Sequence, residues 1–134
     1  MDIRRILLVD DNPTVLRAFK TVLSLKPSWE IVGEALSGAE GLALFRKLAP
    51  NVVIVDYHMP DMTGVEMGRQ LRAMGFTKLL ILFSLHAGKE LNTIAQQVGF
   101  DAVLPKNTPF PIVTIIDKMQ GDMSKTRVAR NDLL

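Results

Sequence analysis

Cysteine is absent from the chain. That excludes a disulfide framework and any zinc–thiolate centre, and makes the cytoplasm the expected compartment. Histidine is scarce, at two residues, so a transition-metal site has few ligands to draw on. No apolar run approaches the roughly 20 residues that span a bilayer. The run "ILLV" after Arg4 and Arg5 is far shorter than the core of a signal peptide, and charges follow it at once. Net charge is small, at +2, which gives no electrostatic case for nucleic acid. Most of the excess lies near the end, where Lys125, Arg127 and Arg130 face Asp122 and Asp132. Repeats, low-complexity stretches and internal linkers are missing too. What remains is 134 residues, 48% hydrophobic and 22% charged, the balance of one globular domain with one core.

Five short apolar runs alternate with segments of helical period. The runs are "RILLV", "IVGEA", "NVVIV", "KLLILF" and "AVL". The first, third and fourth are continuous in Leu, Ile and Val, as parallel strands buried on both faces require. The second holds Gly33 and Glu34, and the fifth runs into Pro105; both read as edge strands.

Between the runs, Asn12 is placed to cap a helix that starts at Pro13, with an apolar face of Val15, Leu16, Phe19, Val22 and Leu23. Ser37 and Glu40 have capping-box spacing, followed by Leu42, Phe45 and Leu48. Val65, Gly68 and Leu71 recur every third residue. Leu91, Ile94, Ala95 and Val98 form a further face, with Gly99 where a cap glycine belongs. Thr108 and Pro109 open a last helix carrying Ile112, Ile115, Ile116 and Met119. The order is β-α five times over. Right-handed crossovers then place helices on both faces of one parallel sheet. The domain is expected over residues 1–120, with 121–134 a helical extension or tail.

In open parallel sheets, sites form outside the carboxyl ends of the strands. The first run ends in Asp10 and Asp11, the third in Asp56 and the fourth in Ser84. The fifth reaches Lys106 after Leu104 and Pro105. Three carboxylates, a hydroxyl and an ammonium are therefore expected at one edge of the sheet. At about 5 Å and an effective dielectric near 20, each carboxylate pair costs on the order of 3 kcal/mol. One lysine does not neutralise that. A divalent cation does, and hard oxygen ligands point to Mg²⁺, with Mn²⁺ as its substitute. A carboxylate beside such a metal can act as a nucleophile on phosphorus, with metal, lysine and hydroxyl holding the phosphoryl oxygens.

The pieces "LLVDD", "VIVDYHMPDMTG", "ILFS" and "LPK", in this order and on these strand ends, make the chain resemble the receiver domain of bacterial two-component response regulators over roughly residues 3–120. The resemblance implies a flavodoxin-like (βα)5 three-layer sandwich, α/β class, with a parallel five-stranded sheet of order 2-1-3-4-5. It implies that a sensor histidine kinase or phosphotransfer protein donates a phosphoryl group to Asp56. It further implies a metal held by Asp11, Asp56 and the backbone carbonyl of His58, with Asp10 helping through water. Lys106 would pair with the phosphoryl group, and Ser84 would hydrogen-bond it. The responsive surface would be the fourth helix, fifth strand and fifth helix, with Lys89, Asn92, Gln96 and Lys118 as exposed candidates. An output protein or domain binds there, and a homodimer stays open. Neither a membrane nor direct nucleic-acid contact is implied for this domain.

Two other phosphate-handling readings fit less well. A haloacid-dehalogenase-type phosphatase wants a second acid two residues after the strand-end aspartate, where His58 stands. A dinucleotide-binding domain wants a glycine-rich turn after the first strand, and "DDNP" offers none. The chain also departs from the receiver pattern. Leu85 follows Ser84 where many receivers have a small residue, and would narrow access to Asp56. Val103 stands where an aromatic switch residue is frequent. Asn107 follows Lys106 in place of proline, and "LPKNTP" is similar to receivers joined to LuxR-type helix-turn-helix output domains. His58 and His86 each lie two residues beyond a site residue, so a role in tuning hydrolysis near neutral pH is an expectation. Two alternatives remain: the regulatory half of a DNA-binding transcription factor, and a binding scaffold that phosphate does not regulate.

Overall fold

In a computed structural model, which describes residues 3–85, 88–105 and 111–118, five β-α units follow one another. They are β1 (Arg4–Val9), α1 (Pro13–Leu23), β2 (Trp29–Ala35), α2 (Gly38–Leu48), β3 (Val52–Asp56), α3 (Gly64–Ala73), β4 (Leu79–Ser84), α4 (Lys89–Val98), β5 (Ala102–Pro105) and α5 (Pro111–Lys118). All strand pairs are parallel and the order is β2-β1-β3-β4-β5. The weaker second and fifth runs are the edges, as their Gly33, Glu34 and Pro105 require.

The three central strands are apolar throughout because each face of the sheet has its own core. Ile6, Leu8, Val52, Ile54, Ile81 and Phe83 pack with α1 and α5. Leu7, Val9, Val53, Val55, Leu80 and Leu82, one residue out of step, pack with α2, α3 and α4. The period of two within each strand divides them between the layers.

Helix starts follow local chemistry. Asn12 and Ser37 cap α1 and α2, each accepting a backbone N–H through its side-chain oxygen. Gly99 closes α4 with φ at 109°, in the left-handed region. The face of α4 differs from the expected one. Ala95 is buried, and Leu91 and Val98 pack half-buried against the second core, but Ile94 is 45% exposed. The i, i+4, i+7 row meets the sheet and Ile94 falls beside it. On the same helix Lys89 is exposed, whereas Asn92 and Gln96 are half-buried. Lys118 in α5 is exposed. The expected cap at Thr108 and Pro109, Met119 and the extension 121–134 lie outside the described residues. Among the described residues, no helix is long and apolar enough to cross a membrane.

Candidate functional site

Strand register decides which strand-end residues meet. Val9 pairs with Val55 across β1 and β3, so Asp10 and Asp56, each the next residue, arrive level. Asp11 follows by one. Oxygens of Asp10, Asp11 and Asp56 all lie within 4.8 Å of one another. Asp10 and Asp56 are each 2% exposed, while Asp11 is open to solvent. Asp56 pairs with Phe83 in β4, which sets the 3%-exposed Ser84 one step further along the same edge.

Two connections hold these groups. In the first, Asp10 Oδ1 accepts the Asn12 N–H at 2.8 Å, and Asn12 Oδ1 accepts the Thr14 N–H at 2.9 Å. The turn after β1 is thereby stapled to the start of α1. In the second, Tyr57 N–H donates to Phe83 O at 2.8 Å, and Gly64 N–H donates to Tyr57 O at 2.7 Å. His58 and Thr63 form an antiparallel bridge inside that loop, and Thr63 Oγ1 caps α3 by accepting the Glu66 N–H at 3.1 Å. A Cβ on Gly64 would stand 2.3 Å from the Asp56 carbonyl oxygen. Only glycine lets α3 begin this close to the acid.

The donor set fits a hard divalent cation. Three carboxylates converge, two of them shielded from water, with one side open through Asp11. Their repulsion would fall with a hard divalent cation held among them, Mg²⁺ or the similar Mn²⁺.

The other sequence candidates divide. His58 is exposed, its ring edge-on to Tyr57 with centroids 4.8 Å apart. Leu85 is 64% exposed. Val103 is 7% exposed, an aliphatic part of the second core where a ring was the alternative. Lys106 and His86 lie outside the described residues.

Sequence reasoning missed Asp61 and Gly64. Asp61 Oδ1 accepts the Gly38 N–H at 3.0 Å and Oδ2 accepts the Ala39 N–H at 2.8 Å, at the start of α2. Those N–H groups, Ala39 before Gly38, hold its carboxyl below the usual range of 3.8. Its partners are more than twenty residues away, so no local pattern announces them. For α3 a signal was present: Thr63 and Glu66 have capping-box spacing.

Comparison with known proteins agrees with this geometry. The chain is 33% identical over 102 residues to the nitrate/nitrite response regulator protein NarL of Escherichia coli K12, covering 76% of this chain and 47% of that protein. It is 32% identical over 141 aligned positions to the transcription regulator BvgA of Bordetella pertussis, covering 91% of this chain and 66% of that one. It thus spans about half to two thirds of these relatives. The solved signal receiver domain of NarL from Mycobacterium tuberculosis superposes with a TM-score of 0.81 at 28% identity, over 90% of this chain and 99% of that one. With the five-stranded order, the acid cluster and a family match from residue 6 to residue 119 all in agreement, the chain belongs to the response regulator receiver domain family.

Proposed function

We propose that Asp56 is the phosphoacceptor of this receiver and that Asp10, Asp11 and the His58 carbonyl serve the metal that the reaction needs. The observation that carries this reading is the convergence of Asp10, Asp11 and Asp56 within 4.8 Å at the ends of two buried strands. A carboxylate oxygen of Asp56 attacks phosphorus. The bond from phosphorus to the donor breaks, and its electron pair leaves with the donor: the imidazole nitrogen of a kinase or phosphotransfer histidine, or the leaving oxygen of a small acyl phosphate. An aspartyl phosphate remains. The cation, when bound, offsets the charge of the phosphoryl oxygens.

Asp10 holds the turn that carries Asp11 through its bond to the Asn12 N–H. Ser84 and Lys106 hydrogen-bond and pair with the new phosphoryl group. That group adds about two negative charges and three acceptor oxygens, which bias an existing equilibrium toward the signalling form. The surface of α4, β5 and α5 presents the change to an output partner. The modified carboxylate is a signal state and not a released product, so the chain is no enzyme in the ordinary sense.

The test is to incubate the protein with Mg²⁺ and a small acyl phosphate, then weigh it. The expected result is a gain of one phosphoryl group, absent from Asp56→Asn. No gain would favour the scaffold reading, and a gain that survives Asp56→Asn would assign the acceptor elsewhere.

A second context for the same chemistry is the regulatory part of a DNA-binding regulator. The similarity to BvgA, whose name declares a transcription regulator, favours it. Sequence beyond Leu134 in the native gene distinguishes the two settings.

A further inference from the structure

The two halves of the acid cluster come from different connections, and α2 touches both. On one side, Gly41 of α2 lies over β1: a Cβ there would stand 3.0 Å from Val9 Cγ2, on the residue that precedes Asp10. On the other side, the tip of the loop after β3 docks on the first turn of α2. Asp61 takes the Gly38 and Ala39 N–H groups at 3.0 and 2.8 Å. Met62 fills the space over Gly38, where a Cβ would meet its Cγ at 2.5 Å. The bonds inside the loop, Gly64 N–H to Tyr57 O and the bridge from His58 to Thr63, fix its shape but tie it to nothing on the β1 side. Asp61 supplies that tie. Its carboxylate also meets the positive end of α2, where charged acceptors bind well even at an exposed position.

We propose that Asp61 is a positioning residue for the metal site, setting the His58 carbonyl relative to Asp10 and Asp11 by latching the loop to α2. This deepens the metal reading above and rests on it. Asp61 does not touch the metal; it acts through the loop that carries His58. Outer partners of metal ligands commonly change affinity by about 10–100-fold, and roughly tenfold is expected here because the action is indirect.

The experiment measures Mn²⁺ affinity by water-proton relaxation in wild type, Asp61→Ala, Asp61→Asn and Glu66→Gln, with urea unfolding run beside it. Glu66 is an exposed carboxylate at the start of α3 whose side-chain partners, Arg69 and Gln70, lie on its own helix, so it serves as the control for loss of a negative charge without loss of the latch. The expected order is wild type close to Glu66→Gln, then Asp61→Asn with one acceptor oxygen left, then Asp61→Ala about tenfold weaker. The weakening should persist in conditions where every variant is fully folded. Equal affinity for Asp61→Ala and Glu66→Gln would overturn the latch. If Asp61→Ala does not fold, the near-isosteric Asp61→Asn decides by the same comparison. Asp11→Ala separates the two levels of the argument. Loss of Mn²⁺ binding there, with none in Asp61→Ala, removes the latch and keeps the metal site. Unchanged binding in Asp11→Ala removes both.

Discussion

Asp10 and Asp11 are neighbours in sequence but not equivalents. Asp10 is 2% exposed and has one oxygen engaged by the Asn12 N–H, whereas Asp11 opens to solvent. In the proposed division of labour Asp11 touches the metal directly and Asp10 acts largely through water. Asp11→Ala should then weaken Mg²⁺ binding more than Asp10→Ala, and a titration giving the reverse order would exchange their roles. Asp61 carries a pH prediction as well. Its carboxyl is held below 3.8 by the Ala39 and Gly38 N–H groups. Its charged form is therefore favoured in the folded state. That contribution is complete above 3.8 and disappears as pH falls through the lowered folded value. Asp61→Asn should lose stability at neutral pH, with the gap to wild type closing in acid. Urea midpoints measured at about pH 7 and about pH 3 check it. Asp10, Asp11 and Asp56 were legible in the sequence because each ends an apolar run. Asp61 was not, since its role depends on backbone donors at Gly38 and Ala39 that only folding brings near.

At the scale of the element, the helix starts are the most locally determined parts. Asn12 caps α1 and also links it to Asp10. Asn12→Ala should cost about 1 kcal/mol, the usual value of a lost cap, visible as a lower denaturation midpoint. The start of α3 is governed by close approach. With the Asp56 carbonyl oxygen 2.3 Å from a Cβ at Gly64, and Leu82 Cδ1 at 2.8 Å, Gly64→Ala forces backbone to move. A loss of roughly 1–3 kcal/mol is expected for such overpacking. Because the displaced atoms belong to the acceptor residue, the rate of phosphorylation by a small donor should fall as well. An unchanged rate would mean that α3 gives way and Asp56 does not. The face of α4 was the element read least well. Periodicity placed Ile94 inward with Leu91, Ala95 and Val98, but a helix lying on a sheet edge buries a narrower stripe than one packed over its centre. Its register against β5 and α3 chose the row through Leu91, Ala95 and Val98.

For the whole molecule, a buried ion pair joins three elements at the end of the sheet opposite the acids. Arg72 of α3 donates from Nη2 to Gly99 O at 2.6 Å and to Asp101 Oδ2 at 3.1 Å, and from Nη1 to Phe76 O at 2.9 Å and Lys78 O at 2.8 Å. Asp101 Oδ2 also accepts the Leu80 N–H at 2.9 Å. The side chains are 9% and 0% exposed, so this pair is little screened and lies far from the rule for surface ion pairs. It ties α3, β4 and the entry to β5 together. Arg72→Ala leaves Asp101 buried without its cation and should cost about 3–5 kcal/mol. Since the acids sit at the other strand ends, Mn²⁺ affinity of the folded fraction should not change. A large fall in affinity would show that the two ends are coupled.

The sequence by itself determined the layered class, the alternation of strands and helices, the two edge strands and the acids that follow β1 and end β3. These depend on apolar runs, caps and periodicity, which act over a few residues. Only the tertiary structure decided the rest. The pairing of Val9 with Val55 levels Asp10 with Asp56. The docking of Asp61 on α2 and the pairing of Arg72 with Asp101 at the far end join residues more than twenty positions apart. Contacts of that range leave no periodic trace along the chain, because their geometry exists only once the layers have packed.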